Sequence, residues 1–352
     1  MRVLTISITA IALLMGGYIY WWNTVADTVL AQTENWIKTQ QANGYIVKYE
    51  PITITGWPYR VKLDITNLVI SKGTAEENDN FQLSVPQVWT VVQPWNLTHI
   101  IFGVDGTSTY RWQENATTKL MQVTPQSAIG SATILSTGKL DTLAIDLGTV
   151  QINLPNRSPV NAERLQLHAR PSPKDQKTQG SDATEAAVQK TPAWQIAIRA
   201  NNLDLGGNQD LPLGNMITKA EISATIDGNI TKLTSKSALE NWRDKGGIVD
   251  IQAANLDWGG SNLAAKGSLT LDSDNYPLGA FTAKIKGFNE LLSILGNSRN
   301  MDAKTLQTVS FALNLIAKKD DQGVPYLDAP ITLQNAALYL GPLKILQLNP
   351  VF

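Results

Sequence analysis

The sequence predicts a mainly β protein with a few helices, carried behind an N-terminal transmembrane helix. Three observations predict it. The run Val3–Trp22 carries no charge from end to end. From Tyr45 onward apolar residues recur with a period of two rather than 3.6. Gly, Pro, Asn and Asp punctuate those segments at short intervals, as the turns of an antiparallel sheet require.

Twenty residues at 1.5 Å rise span roughly 30 Å, the hydrocarbon thickness of a bilayer. Arg2 and the amino terminus are the positive charges before the run, and Asp27 and Glu34 are the first charged residues after it. That asymmetry favours a cytoplasmic N-terminus with the bulk of the chain in the periplasm of a bacterium, single-pass in the inner membrane. Tyr18, Tyr20, Trp21 and Trp22 close the run, where amphipathic rings sit at headgroup level. The alternative is a signal peptide and a periplasmic protein released by cleavage. Thr24-Val25-Ala26 and Val29-Leu30-Ala31 offer small residues for it. The length of the run and its bulky aromatic end favour the uncleaved anchor.

Composition removes several classes. Thirty acidic residues balance 29 basic ones, so there is no electrostatic footprint for nucleic acid or for anionic lipid surfaces. The absence of cysteine excludes disulfides, zinc–thiolate sites, cysteine nucleophiles and lipoprotein attachment. Three glycosylation sequons (Asn96-Leu97-Thr98, Asn115-Ala116-Thr117, Asn229-Ile230-Thr231) read as ordinary strand and turn composition, since an exported eukaryotic domain of this size usually carries disulfides.

Thr24 to Asn43 reads as a helical stalk: Val25, Val29, Trp36 and Ile37 recur at helical spacing and Gly44 supplies a stop. Tyr45, Val47 and Tyr49 then alternate in strand period. After Gly56-Trp57-Pro58-Tyr59-Arg60 comes the cleanest alternation, with Val61, Leu63 and Ile65 facing one way. Leu68 and Ile70 continue one residue out of phase, which predicts a bulge or short turn at Asn67. Glu76–Asn80 reads as a solvated loop and Asp105-Gly106 as a turn between strands. Pro171 to Pro192 has linker or disordered-loop composition. The expected division is therefore an anchor at 1–23, a helix with a first β region at 24–170, the linker at 171–192 and a second β region at 193–352. Whether the linker separates two cores or loops out of one sheet stays open.

In the second half Asn202-Leu203-Asp204-Leu205-Gly206-Gly207 recurs as Asn255-Leu256-Asp257-Trp258-Gly259-Gly260, and Pro212-Leu213-Gly214 recurs as Pro277-Leu278-Gly279. The second copy holds one more strand, Ala264 to Leu271, between its marks. Asn289–Leu295 and Asp302–Lys318 read as helices, the latter with Leu306, Val309, Leu313 and Ile316 on one face. Strands at Tyr326–Leu333 and Ala337–Leu340 and an apolar tail from Leu343 close the chain.

No catalytic constellation emerges. His99 and His168 lie far apart with no local partner, and no nucleophile elbow, phosphate-binding loop or dinucleotide fingerprint is present. The pairs Asp320-Asp321 and Asp272/Asp274 fall where turn geometry alone accounts for Asp. No catalytic residue, cofactor or metal is expected. Ten tryptophans remain, of which Trp57, Trp95 and Trp258 sit beside Pro or Gly. Such residues lid a core or line an apolar groove.

The order of anchor, helix, strand, Gly56-Trp57-Pro58-Tyr59-Arg60 and alternating strand resembles the bacterial envelope family called domain of unknown function 2125. Leu256-Asp257-Trp258-Gly259, Tyr276-Pro277-Leu278-Gly279 and a closing Gly341-Pro342 continue the resemblance, which runs from about Trp36 to Leu346. That family brings no catalytic residues with it. The long 171–192 insert departs from its compact pattern. A looser similarity is to AsmA-like periplasmic proteins, associated with phospholipid movement and envelope homeostasis. It implies a curved, gutter-like sheet with an apolar concave face. Candidate inward residues are Val61, Leu63, Ile65, Leu256, Trp258, Leu269, Leu271, Phe281 and Ile285. The expected function is non-enzymatic binding of lipid or another apolar envelope ligand. A scaffold for another envelope protein is the alternative, and a hydrolase with a scattered site using His99 or His168 is third.

Overall fold

The computed structural model describes residues 2–73, 80–114, 117–172, 193–207, 211, 213–227, 236–290, 292 and 303–351. The expected loop at 76–80 lies mostly outside those residues, as do 173–192 of the expected linker, the sequon at 229–231, Asn115 and Ala116 of the 115–117 sequon, Pro212, the end of the helix expected at 289–295 and Asp302. The chain is mainly β and every strand pairing is antiparallel. It divides into two compact units, Met1–Pro159 and Val160–Phe352.

The first unit opens with one continuous helix, α1 (Arg2–Ala42), so anchor and stalk are a single rod about 60 Å long. Strands β1 (Ile46–Lys48) and β2 (Thr53–Thr55) both pair with β3 (Val61–Lys72). The sheet continues through β4 (Phe81–Gln93), then β5 (Asn96–Asp105) and β6 (Ser108–Glu114), then β7 (Thr117–Ile134) and β8 (Leu140–Asn153). The alternation in β3 does what the sequence implies. Val61, Leu63 and Ile65 are buried, and the first two form a core with Trp22, Val25 and Ala26 of α1 and Val92 of β4. Each such apolar side chain removed from water stabilises the unit by roughly 1.5–3 kcal/mol.

Two local expectations change. Thr66 faces Gln87 and Leu68 faces Val85, so no residue is inserted at Asn67. Asn67 instead adopts a left-handed φ of 51°, opposite Pro86, which has no N–H for the ladder. Its amide donates to Glu50 Oε1 at 2.6 Å, across the sheet edge. At Asp105-Gly106 the chain does not reverse. β5 and β6 run end to end along β4, with Gln87 facing Asp105 and Ser84 facing Thr109. Two residues of β4 therefore stand against three of the other strand, which is a bulge, and Gly106 takes φ 85° there. Thr149 (φ 36°) in β8 extends this line of breaks, so it crosses the sheet from β3 to β8.

The second unit is a meander. β9 (Val160–Pro171) pairs with β10 (Trp194–Asp204), followed by β11 (Met216–Ile226), β12 (Val249–Trp258), β13 (Ser261–Leu271) and β14 (Pro277–Lys286). β14 pairs with β16 (Pro325–Gln334), whose other side carries β15 (Lys318–Lys319) and β17 (Ala337–Leu340); β18 (Leu343–Gln347) pairs with β17. Helix α2 (Lys236–Asp244) precedes β12, and α3 (Ala303–Ile316) precedes β15. Residues 288–290 and 292 are also helical.

The unit boundary falls before β9, not at 171–192. Trp194 faces Pro171, and the Ser172 N–H donates to the Ala193 carbonyl at 2.9 Å. The polar segment is thus the connection of one hairpin. Linker-like composition marks a segment with nothing to bury, which a loop within a sheet satisfies as well as a domain junction. The repeat is partly structural. Both copies end a strand and open a turn, but Leu213-Gly214 lies in a turn whereas Pro277-Leu278-Gly279 begins β14. The first mark's turn packs on the second copy: the Trp258 indole N–H donates to the Gly214 carbonyl at 2.8 Å.

Candidate functional site

The inward face of β13, β14 and β16 is built in rows. Leu263, Ile285 and Leu327 stand side by side, and the next row is Ala265, Ala283 and Ala329. Period-two alternation puts Thr282, Lys284 and Lys286 of β14 on the other face, exposed. Over the inward rows lie α3, through Leu306, Val309 and Leu313, and the helical residues Phe288 and Leu292. Helix and sheet do not close completely. Between them is a cavity of about 280 Å³ lined only by Leu, Ile and Phe, among them Leu263, Ile285, Leu313, Leu327, Leu340 and Ile345. A cavity of about 150 Å³ with the same lining stays dry and takes up benzene. This one therefore suits a short length of hydrocarbon and offers no polar group for water to hold.

Of the residues read as an inward groove, Ile285 lines this cavity. Leu269 and Leu271 line a smaller one, about 210 Å³, with Trp242 of α2, Val249 and Val351. Val61 and Leu63 are packed under α1 as core, and Ile65 is buried. Phe281 covers glycine instead. A Cβ on Gly267, its partner across β13 and β14, would meet the Phe281 ring at 2.8 Å. Leu256 and Trp258 are half-buried and line neither cavity. Leu313, expected on the inner face of its helix, and Leu327, within an expected strand, also line the cavity, and nothing local says that β14 neighbours β16 across an intervening helix. Ile316, expected on the inward face of α3, is exposed, and so are Phe311 and Leu315.

Helix α2 was not foreseen in the sequence. Its signal was Leu239 and Trp242 three apart, ahead of Gly246-Gly247. Trp242 Nε1–H donates to the Asp227 carbonyl at 2.6 Å. Arg243 reaches the 272–275 turn through the carbonyls of Asp272 and Ser273 and through Asn275 Oδ1.

The titratable candidates belong to different units, His99 to the first and His168, Asp272 and Asp320 to the second. His99 is half-buried in β5 and His168 is exposed in β9. Asp272 Oδ1 accepts the N–H groups of Asp274 and Tyr276, and Asp320 Oδ1 accepts those of Gln322 and Val324. Lys286 on Asp320, backed by those N–H groups, holds its carboxyl below the usual range. Among the described residues no group of three His, Asp or Glu could hold a metal ion.

The Gly56–Arg60 motif forms a tight turn in the first unit. The Arg60 N–H donates to the Gly56 carbonyl at 3.1 Å, and Gly56 takes φ 101° with no room for a Cβ. Helix α1 grips it twice: the Tyr18 hydroxyl donates to the Pro58 carbonyl at 2.5 Å, and Trp22 Nε1–H to the Arg60 carbonyl at 3.2 Å.

The family model described as "Uncharacterized protein conserved in bacteria (DUF2125)" matches residues 22–349. The chain belongs to this family. Within the DUF2125 match fall the motif turn, all strands of both units and the apolar cavity. The match begins at Trp22, where α1 first docks on the sheet. Comparison with curated proteins and with solved structures finds no match.

Proposed function

We propose that this DUF2125 protein is anchored in the bacterial inner membrane by α1, faces the periplasm, and holds an acyl chain or similar apolar ligand in the cavity beneath α3. The observation that carries the reading is that cavity, about 280 Å³ with an all-apolar lining. Its size lies just below the usual range of small-molecule pockets, which fits one hydrocarbon chain rather than a whole phospholipid. Such binding works by shape and needs no reacting group. The lipid-related role that the AsmA-like similarity implies is kept on this ground alone.

The anchor reading draws on α1, the helix long and apolar enough to cross a membrane. Cleavage after Ala26 or Ala31 would remove Trp22, Val25 and Ala26 and uncover Val61, Leu63 and Val92. That favours retention of the helix. A scaffold role for another envelope protein draws on the outer side of α3, where Phe311 and Leu315 are 73% and 77% exposed.

The test is mass spectrometry of organic extracts from the full chain and from Leu263→Trp, whose indole would fill the cavity. Lipid or fatty acid retained by the parent and lost from the variant, with circular dichroism unchanged, is the expected result. Ligand-free parent protein, or equal retention by both, would overturn the reading. A stoichiometric protein partner without lipid would favour the scaffold.

A further inference from the structure

Trp57, Tyr59 and Trp95 are 52%, 74% and 58% exposed, whereas Trp22, Trp242 and Phe288 are buried. They share one end of the first unit. The strand register aligns Val61, Val92, Ile100, Ala132 and Leu143 in a row across β3, β4, β5, β7 and β8. Just beyond that row lie the 56–60 turn, the 93–96 hairpin and the 135–139 hairpin, with Leu97, Leu135 and Leu140 also exposed. Near the opposite end Ile46 and Leu120 are exposed, and the rings of Tyr45, Phe81, Tyr110 and Trp112 pack on one another, half-buried.

Helix α1 leaves the unit at this same end. Trp22, Val25 and Ala26 lie on the sheet, whereas the uncharged residues from Val3 to Met15 are exposed. The bonds from Tyr18 to Pro58 and from Trp22 to Arg60 fix the motif turn at the level where the uncharged run stops. If twenty residues from Val3 fill roughly 30 Å of hydrocarbon, Tyr18 to Trp22 lie at its outer boundary. Rings with an apolar body and a polar edge partition to that layer. Arg60 and Lys139, both exposed there, match the charge of lipid phosphates.

We propose that this end of the first unit rests on the surface of the bilayer that α1 spans, with Trp57, Tyr59 and Trp95 in the headgroup layer and Arg60 against lipid phosphate. The motif turn is then a membrane-contact element that holds the sheet at a fixed height and tilt. This rests on the anchor reading above and is independent of the cavity.

The absence of cysteine permits a clean test. Nitroxide labels go on single-cysteine variants Ile11→Cys, Tyr59→Cys, Leu135→Cys and Glu114→Cys, all at exposed positions. The full chain is reconstituted in vesicles of phosphatidylethanolamine and phosphatidylglycerol. Collision with oxygen and with a water-soluble nickel chelate then reports depth by paramagnetic resonance. Expected are a deep label at 11, labels at 59 and 135 at headgroup depth with nickel access several-fold below that at 114, and 114 in water. A deep label at 11 with 59 and 135 as nickel-accessible as 114 overturns the contact and leaves the anchor standing. A label at 11 in water overturns the anchor itself. Labels at 59 and 135 shielded from both reagents would mean a protein–protein contact and also overturn the proposal.

Discussion

Glu221 stands opposite Arg199 across β10 and β11 and accepts from its guanidinium at 2.6 Å, with Lys219 Nζ at 2.8 Å. Arg199 first, then Lys219, pulls the carboxyl from 4.5 down to about 2. The folded value lies below the unfolded one, so the stabilisation is present above about pH 4.5 and is lost as pH falls toward 2. Glu221→Gln should lower stability at about pH 7 by at most roughly 1 kcal/mol, the worth of a surface pair, and by less at about pH 3. Urea midpoints at the two pH values check this; an equal gap at both counts against it. Glycine matters more. Gly103 faces Trp89, Gly130 faces Phe102 and Gly267 faces Phe281, and in each pair the ring occupies the space a Cβ would take. At Gly267 a Cβ would also clash with the Ala280 carbonyl, which is backbone and cannot swing away. Gly267→Ala is expected to cost about 2–3 kcal/mol, read by thermal unfolding.

Helix α1 acts at two levels along its length. Val3 to Met15 are exposed, Trp22, Val25 and Ala26 complete the core of the first unit, and Ile37 is buried farther on. Trp22→Ala removes a buried ring and its bond to the Arg60 carbonyl, so a loss of about 3–5 kcal/mol is expected. Unfolding of the detergent-solubilised chain measures it, and a loss below 1 kcal/mol (about the scale of an exposed residue) would contradict the docking. Helix α3 has the converse arrangement: Val309 and Leu313 are buried while Phe311 and Leu315 face outward. Its apolar residues exceed what the sheet beneath it can cover, which is why helical periodicity alone misplaced Ile316.

For the whole molecule, the proposed anchoring by α1 predicts an address. A reporter enzyme active only outside the cytoplasm, fused after Phe352, should be active, and the protein should stay with the membrane pellet after an alkaline wash. An inactive fusion would reverse the orientation; release by the wash would point to the cleaved form. Reversed orientation would leave both cores intact, whereas cleavage would strip Trp22, Val25 and Ala26 from the core of the first unit.

Mainly β architecture, the apolar N-terminal run, the stalk, most strands and the family were legible in the sequence, because each depends on residues adjacent in the chain. Periodicity tells which side chains share a face, as with Val61, Leu63 and Ile65, but not what covers that face. Here α1 covers it, and a presumed groove is core. The chain's own order could not say that the 171–192 connection closes a hairpin, that β5 and β6 form one broken line along β4, or that Leu263, Ile285 and Leu327 meet. Those facts come from pairings between distant segments. Local propensity carries no information about them, and the packing of helix on sheet alone decided where a cavity was left.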